Sequence, residues 1–263
     1  MQGSSPAGSS IVSLRGVGKT FATGTVALDG FDLDIRNGEF VSLLGPSGCG
    51  KSTALRIIAG LSEPTQGTVA WPAGKPLRAH SIGFVFQEPP LMPWTTVFDN
   101  VFLPLRLAGQ PRAAVSKRVM ESLGQVGLAD FANAYPRELS GGMKMRVSIA
   151  RALVTNPSLL LMDEPFAALD EITRFKLNDD LLTLWRALGK TVVFVTHSVF
   201  ESVYLSQRVV VMTARPGRVA GTVAIDAPNR DAHFRTSAEY VGFCRLTSEA
   251  LGRAMDARTG AAA

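Results

Sequence analysis

The 263-residue chain is 46% hydrophobic and 19% charged, a balance that excludes a disordered polypeptide and leaves room for one large domain or two small ones around a proper core. No apolar stretch approaches the roughly 18–20 residues that a membrane-crossing helix needs, and two cysteines, Cys49 and Cys244, make neither a disulfide framework nor a metal cluster, so a reducing, cytoplasmic setting fits. The net charge of +5 comes from scattered Lys and Arg without interleaved aromatics, which argues against a nucleic-acid footprint.

In chain order, residues 1–10 are small and polar and read as a flexible tail without the apolar segment of a signal peptide. Residues 11–35 alternate as strands do, with a turn at Asn37-Gly38. A short buried strand over 39–44 runs into a Gly-rich loop, and a helix is predicted over 53–61, stopped by Gly60 and Pro64. A further strand over 82–86 precedes a proline-bearing loop over 88–94. Val115, Val119, Leu123 and Val126 recur at helical spacing, so the stretch from about 95 to 150 reads as mainly helical. Continuous apolar runs at 158–162, 191–196 and 208–213 suit strands covered on both faces. Between the first two, Leu177, Leu181, Leu184, Trp185 and Leu188 mark one face of a helix. The pattern is α/β with an inserted helical subdomain, followed from about 226 to 263 by a mixed extension with a low-complexity end.

The loop Gly45-Pro46-Ser47-Gly48-Cys49-Gly50-Lys51-Ser52, with Thr53 next, matches G-x-x-x-x-G-K-[ST] between a strand and a helix. Its glycines let backbone N–H groups converge on phosphate, and the helix start adds its positive dipole end. Lys51 is expected to reach the β- and γ-phosphates and Ser52 to bind Mg²⁺. Cys49, at a helix start, is expected to carry a thiol of lowered pKa that a bound nucleotide protects. The motif alone leaves ATPase, GTPase and kinase open.

A second apolar strand ends in Asp163-Glu164-Pro165. Asp163 is placed to hold Mg²⁺, and Glu164 to take a proton from an attacking water. Leu139-Ser140-Gly141-Gly142-Met143, ahead of a helix, makes a second anion-binding helix start about ninety positions from the first.

These residues together resemble the ATP-binding subunits of ABC transporters, over residues 11–225. The signature there is L-S-G-G-Q, from which this chain departs with Met143. The resemblance implies an α/β P-loop NTPase fold: a RecA-like core, an N-terminal antiparallel β subdomain and an inserted α-helical subdomain. It implies that Phe21 stacks on adenine and that Gln87 senses Mg²⁺ and the attacking water. It further implies that Asp170 belongs to a loop crossing a dimer interface and that His197 contacts the γ-phosphate. Two subunits would pack head to tail, each ATP held between Lys51 and its loop in one chain and Ser140, Gly141 and Gly142 of the other. The stretches 87–97 and 162–170 resemble the nitrate/sulfonate/taurine group of importers, which also includes importers of pyrimidine precursors. That implies two separate permease subunits, a solute-binding protein and a place at the cytoplasmic face of the cell membrane. Leu91, Met92 and Trp94 are expected to line the permease-docking cleft, since apolar residues on a loop often mark a binding surface. A soluble ABC ATPase acting on nucleic acid is the alternative; a P-loop kinase has no use for the second glycine motif.

Overall fold

The structure, a computed structural model, describes residues 9–71, 81–231 and 233–256. All but the last two residues of the expected flexible tail, and the low-complexity C-terminus, lie outside the described residues.

Strands β1 (Ser10–Thr20) and β2 (Val26–Arg36) pair antiparallel, with Leu14 opposite Leu33 and Val17 opposite Phe31. The Asn37-Gly38 turn leads into β3 (Phe40–Leu44), every residue of which is buried. The phosphate loop then opens α1 (Lys51–Ile58). This helix begins two residues earlier than predicted, because Gly50 in a left-handed conformation starts it at once. β4 (Gln66–Ala70) returns to the other edge of β1 and completes a three-stranded sheet in the order β2-β1-β4.

After β5 (Ile82–Val85) the chain leaves the sheet for α2 (Val97–Leu107), α3 (Arg112–Gln125) and α4 (Gly141–Leu153). It re-enters with β6 (Leu159–Asp163), α5 (Glu171–Leu188), β7 (Thr191–Thr196), α6 (Val199–Leu205), β8 (Arg208–Met212) and β9 (Val219–Ala224). The second sheet has the order β5-β6-β7-β3-β8-β9 and is parallel except for β9 at its edge. The stretch read as a mixed extension holds α7 (Ala238–Asp256).

Alternation along the parallel strands sorts two cores. Phe40, Leu44, Met162, Val192 and Phe194 face the helices α4 to α7. Val41, Leu43, Leu161, Val193 and Val195 face α1 and the β1–β2 hairpin. A third cluster joins Val97, Val101, Val119 and Leu123 of the helical insertion. Helix α4 serves two of these: Met145, Ile149 and Leu153 point to the sheet, whereas Val147, Ala150 and Val154 point to the insertion. The insertion is thus carried on a helix whose other face is part of the main core. Ile225, Ala227, Phe234, Tyr240 and Cys244 bury into the same core as Phe40, so the segment after 225 is packed against the sheet-and-helix unit. Arg208 ties the two sheets together, donating through Nε and Nη2 to the Glu39 carboxylate (2.6 and 2.9 Å) and to the carbonyl of Asp34.

Candidate functional site

The site lies at the carboxyl ends of the central parallel strands, where open α/β sheets leave a crevice. β3 delivers the phosphate loop there, and α1 begins with no side-chain cap and no acidic residue in its first turn. Its first N–H groups are therefore available to an anion. The loop is backed by a second segment. Gly217 lies so close that a Cβ there would stand 2.1 Å from the Cys49 carbonyl oxygen, so only glycine allows this approach. Its N–H donates to Ala27 O at 2.9 Å.

Lys51 is buried, and its ammonium donates to the carbonyls of Gly45 (2.8 Å) and Pro46 (2.9 Å) and stands 3.3 Å from Glu164 Oε1. Two of its protons thus go to main-chain carbonyls, which a bound phosphate would have to replace, and the charge is paired with Glu164. Ser47 is exposed at the loop tip, while Gly48, Gly50, Ser52 and Thr53 line the cavity.

Cys49 does not behave as predicted from its place at a helix start. It is 1% exposed, and burial raises its thiol pKa, outweighing the opposing pull of Lys51. Its side chain turns away from the anion side of the loop into the core.

β6 brings the two acids to the same end of the sheet, with Asp163 beside Val195 of β7. Ser52 Oγ donates to Asp163 Oδ1 at 2.8 Å. Burial pushes the Asp163 pKa up, and that hydrogen bond opposes it. A partly buried carboxylate next to a hydroxyl is a hard oxygen pair that fits Mg²⁺, which takes one or two protein oxygens plus phosphate and water.

Glu164 has a φ of 44°, uncommon for a residue with a side chain, and its N–H donates to Val195 O at 3.0 Å. Held this way, its carboxylate bridges Lys51 and the imidazole of His197, whose Nδ1 lies 2.9 Å from Glu164 Oε2. His197 follows directly on β7. Three residues far apart in sequence thus form one chain of contacts: Lys51, Glu164, His197.

A cavity of about 160 Å³ opens over them, lined by Phe21, Thr25, Lys51, Ser52, Glu164 and Arg215 among others. It is sized for a phosphate tail rather than a whole nucleotide. Phe21 stands partly exposed at its rim with the Lys19 ammonium 5.7 Å from its ring centre. Arg215 was not foreseen from the sequence. Its Nε donates to Gly48 O at 3.1 Å, adding a positive group to the phosphate end, and its only local signal is a Pro-Gly turn after a strand.

The other predicted residues lie elsewhere. Gln87 is exposed two residues past β5, whose Val85 pairs with Met162, and it does not line the cavity. Ser140 caps α4, accepting from Met143 N at 3.3 Å; Gly141 is exposed beside it and Gly142 buried. Asp170 caps α5, accepting from Thr173 N at 2.9 Å, and that bond lowers its pKa. None of these four lines the cavity above Lys51. Met143 packs against the core of the helical insertion. Leu91 also packs partly against that core and so turns inward, whereas Trp94 is 75% exposed.

The ABC transporter family profile matches residues 28–167. The chain belongs to the ABC transporter family, as an ATP-binding subunit. An uncharacterised ABC transporter ATP-binding protein of Methanocaldococcus jannaschii is 50% identical over 220 residues, covering 82% of this chain and 81% of the relative. An aliphatic sulfonates import ATP-binding protein SsuB of Bacillus licheniformis is 45% identical over 222 residues, covering 82% and 86%. Among solved structures, the ATP-binding cassette MJ0796, a dimer in a post-hydrolysis state with ADP and Pi, superposes with a TM-score of 0.72 at 38% identity, over 82% of this chain and 99% of that one. CbiO1 of Clostridium perfringens, part of an ABC transporter complex, superposes with a TM-score of 0.74 at 30% identity, over 82% and 89%. This ABC subunit binds and hydrolyses ATP.

Proposed function

We propose that this ABC subunit works as a head-to-tail homodimer that drives import of a small organic anion through two separate permease subunits. The observation that carries the reading is the separation of its two anion-binding helix starts. The Lys51–Glu164–His197 chain surrounds one, while Ser140, Gly141 and Gly142 surround the other and stand outside that cavity. A chain holding halves of two different sites completes both only by pairing with a second copy.

In this reading ATP displaces the carbonyls of Gly45 and Pro46 from Lys51, and its phosphates take the uncapped N–H groups of α1. Adenine lies over Phe21. Ser52 and Asp163, together with Gln87, would hold Mg²⁺, which would supply charge neutralisation at the phosphates when bound. Glu164 accepts the proton of the attacking water, and His197, hydrogen-bonded to Glu164, orients that carboxylate and meets the γ-phosphate. Closure by Ser140 and Gly142 of the second copy excludes water, and loss of the γ-phosphate contacts releases it.

The naming of several relatives as aliphatic sulfonate importers supports a sulfonate-like solute, delivered by a solute-binding protein. No helix among the described residues is long and apolar enough to cross a membrane, so attachment at the cytoplasmic face would come through the permease. A groove of about 590 Å³ between β5 and α2, lined by Phe84, Phe86, Leu103 and Leu107, is the proposed seat of the permease. No observation favours nucleic acid.

Glu164→Gln tests the core of this reading. Phosphate release should fall by about 10²-fold or more, ATP should still bind, and ATP should convert the variant to a dimer on gel filtration. Near-normal turnover removes Glu164 from the base role, and a variant that binds ATP yet stays monomeric overturns the paired site.

A further inference from the structure

We propose that Arg174 and Glu201 form a positioning link that carries the state of the second anion site to His197, so that hydrolysis of one ATP depends on occupation of the other site. The inference rests on the head-to-tail dimer proposed above.

The link can be followed atom by atom. The start of α4 rests on the loop that leads into α5 and on the first turn of that helix: a Cβ on Gly141 would stand 3.3 Å from Leu169 Cδ2, and one on Gly142 2.8 Å from Thr173 Cγ2. The two segments touch through the Leu169 and Thr173 side chains, packed directly on the glycines, so a nucleotide that moves Ser140 and its glycines moves this loop and the first turn of α5. Arg174 reads the loop directly, since its Nη2 donates to Leu169 O at 2.9 Å and its N–H to Asp170 O at 2.9 Å.

On the other side, Glu201 holds the segment that carries His197. Its Oε2 accepts from Thr196 Oγ1 at 2.6 Å, and that hydroxyl accepts from Ser198 N at 3.0 Å. Ser198 Oγ in turn accepts from Glu201 N at 3.3 Å. Thr196 and Ser198 flank His197, so the position of the imidazole follows the Glu201 carboxylate.

Between the halves, Arg174 Nε and Glu201 Oε1 face each other at 3.6 Å. That is ion-pair distance but beyond hydrogen-bond reach, and neither buried atom has a hydrogen-bond partner. Both residues line a cavity of about 390 Å³ with Asn178, Tyr204 and Arg235, so the pair can shorten or part without displacing packed side chains. A small movement of either loop decides whether the donor and acceptor meet, which makes the pair a two-state contact between the sites.

The test uses the full chain and measures ATPase rate against ATP concentration, with a thermal melt beside it. The wild type should be sigmoidal with a Hill coefficient near about 2, the number of sites in the dimer. Arg174→Gln should bring the coefficient toward about 1 and lower kcat by about 5-fold or more while KM for ATP stays within about 2-fold. Because a single substitution leaves a buried charge unpaired, the double variant Arg174→Gln with Glu201→Gln should recover the melt yet remain non-cooperative, the side chain at position 174 then being too short to reach Leu169 O and position 201 together. A wild type with a hyperbolic curve overturns the link. So does any folded variant that keeps the wild-type Hill coefficient, or one whose KM rises in step with its loss of kcat. If Glu164→Gln dimerises on ATP while these variants stay cooperative, the link alone fails; if it does not dimerise, the paired-site reading fails first.

Discussion

Cys49 and Glu164 show how a motif residue's neighbours decide its chemistry. Cys49 belongs to the core cluster of Leu28, Leu55 and Met212, and its Sγ lies where a Cβ on Gly45 would meet it at 2.9 Å. Lys51 favours the thiolate, but burial favours the thiol more, and the net shift is upward. An upward shift means less thiolate at neutral pH than in a free cysteine, and the thiolate is the reacting form. Maleimide should therefore label Cys49 at least about 10-fold more slowly in the folded chain than in urea. The rate should climb only above the usual thiol range, and ATP should add little protection. Rapid labelling at neutral pH that ATP blocks, read by mass spectrometry, would put the thiol on the anion side of the loop after all. Glu164 is the converse case, a residue whose unusual backbone angle and bond to Val195 aim its carboxylate between a lysine and a histidine.

At the scale of elements, the seven residues of α6 begin immediately behind His197 and Ser198, too short a helix to be stable on its own. Its far end is held by Arg230, which is buried and donates to the carbonyls of Tyr204 (2.8 Å), Ser206 (2.6 Å) and Ala227 (3.1 Å). A cation at a helix C-terminus also complements the dipole. Burial lowers the Arg230 pKa to about 10, so the group remains charged at neutral pH. Tyr240 of α7 adds a bond from its hydroxyl to Phe200 O at 3.0 Å. The C-terminal segment therefore clamps the helix that follows the histidine. Arg230→Met should leave these carbonyls unpaired at a cost of about 3 kcal/mol, and lower the melting temperature by roughly 6–12 °C. A calorimetric scan that matches wild type would show that the clamp contributes nothing.

Across the whole molecule, α4 couples the helical insertion to the sheet, since its two faces belong to two cores. The groove at β5 and α2 lies on the border between these bodies and next to Gln87, so a partner seated there would touch both. Leu107 is 78% exposed at its edge. A lone exposed leucine is ordinary, but here it borders Phe86, Pro90 and Leu103, which together make an apolar surface. Leu107→Ser should leave the melt within about 0.5 kcal/mol of wild type, as surface changes do. It should keep the ATPase of the isolated subunit and lose co-purification with the permease in detergent. Trp94→Ala, on the exposed loop outside this groove, should have the smaller effect; a reversed order would move the docking surface to that loop.

Much of this was legible along the chain because the signals are local. The Gly45–Ser52 spacing, the apolar runs of β3, β6, β7 and β8, and the acids closing β6 are written in adjacent residues. Burial on both faces of a parallel strand leaves no alternation to misread. The phosphate loop, the Asp163–Glu164 pair and the α/β order follow from such stretches. β4 and β9 passed unseen because β4 is almost wholly exposed and β9 only half-covered, and both are rich in small or polar residues, α6 because seven residues span barely two turns, and α7 because its apolar positions are diluted by Gly, Ser and Thr. What tertiary structure alone decided are the long-range meetings. Arg215 reaches Gly48 across 167 positions, the Cys49 side chain turns to the core, and Lys51, Glu164 and His197 converge. These depend on which strands become neighbours in the sheet, and no run of adjacent residues encodes that: the order β6-β7-β3-β8 exists only once the strands have found partners to bury their faces against.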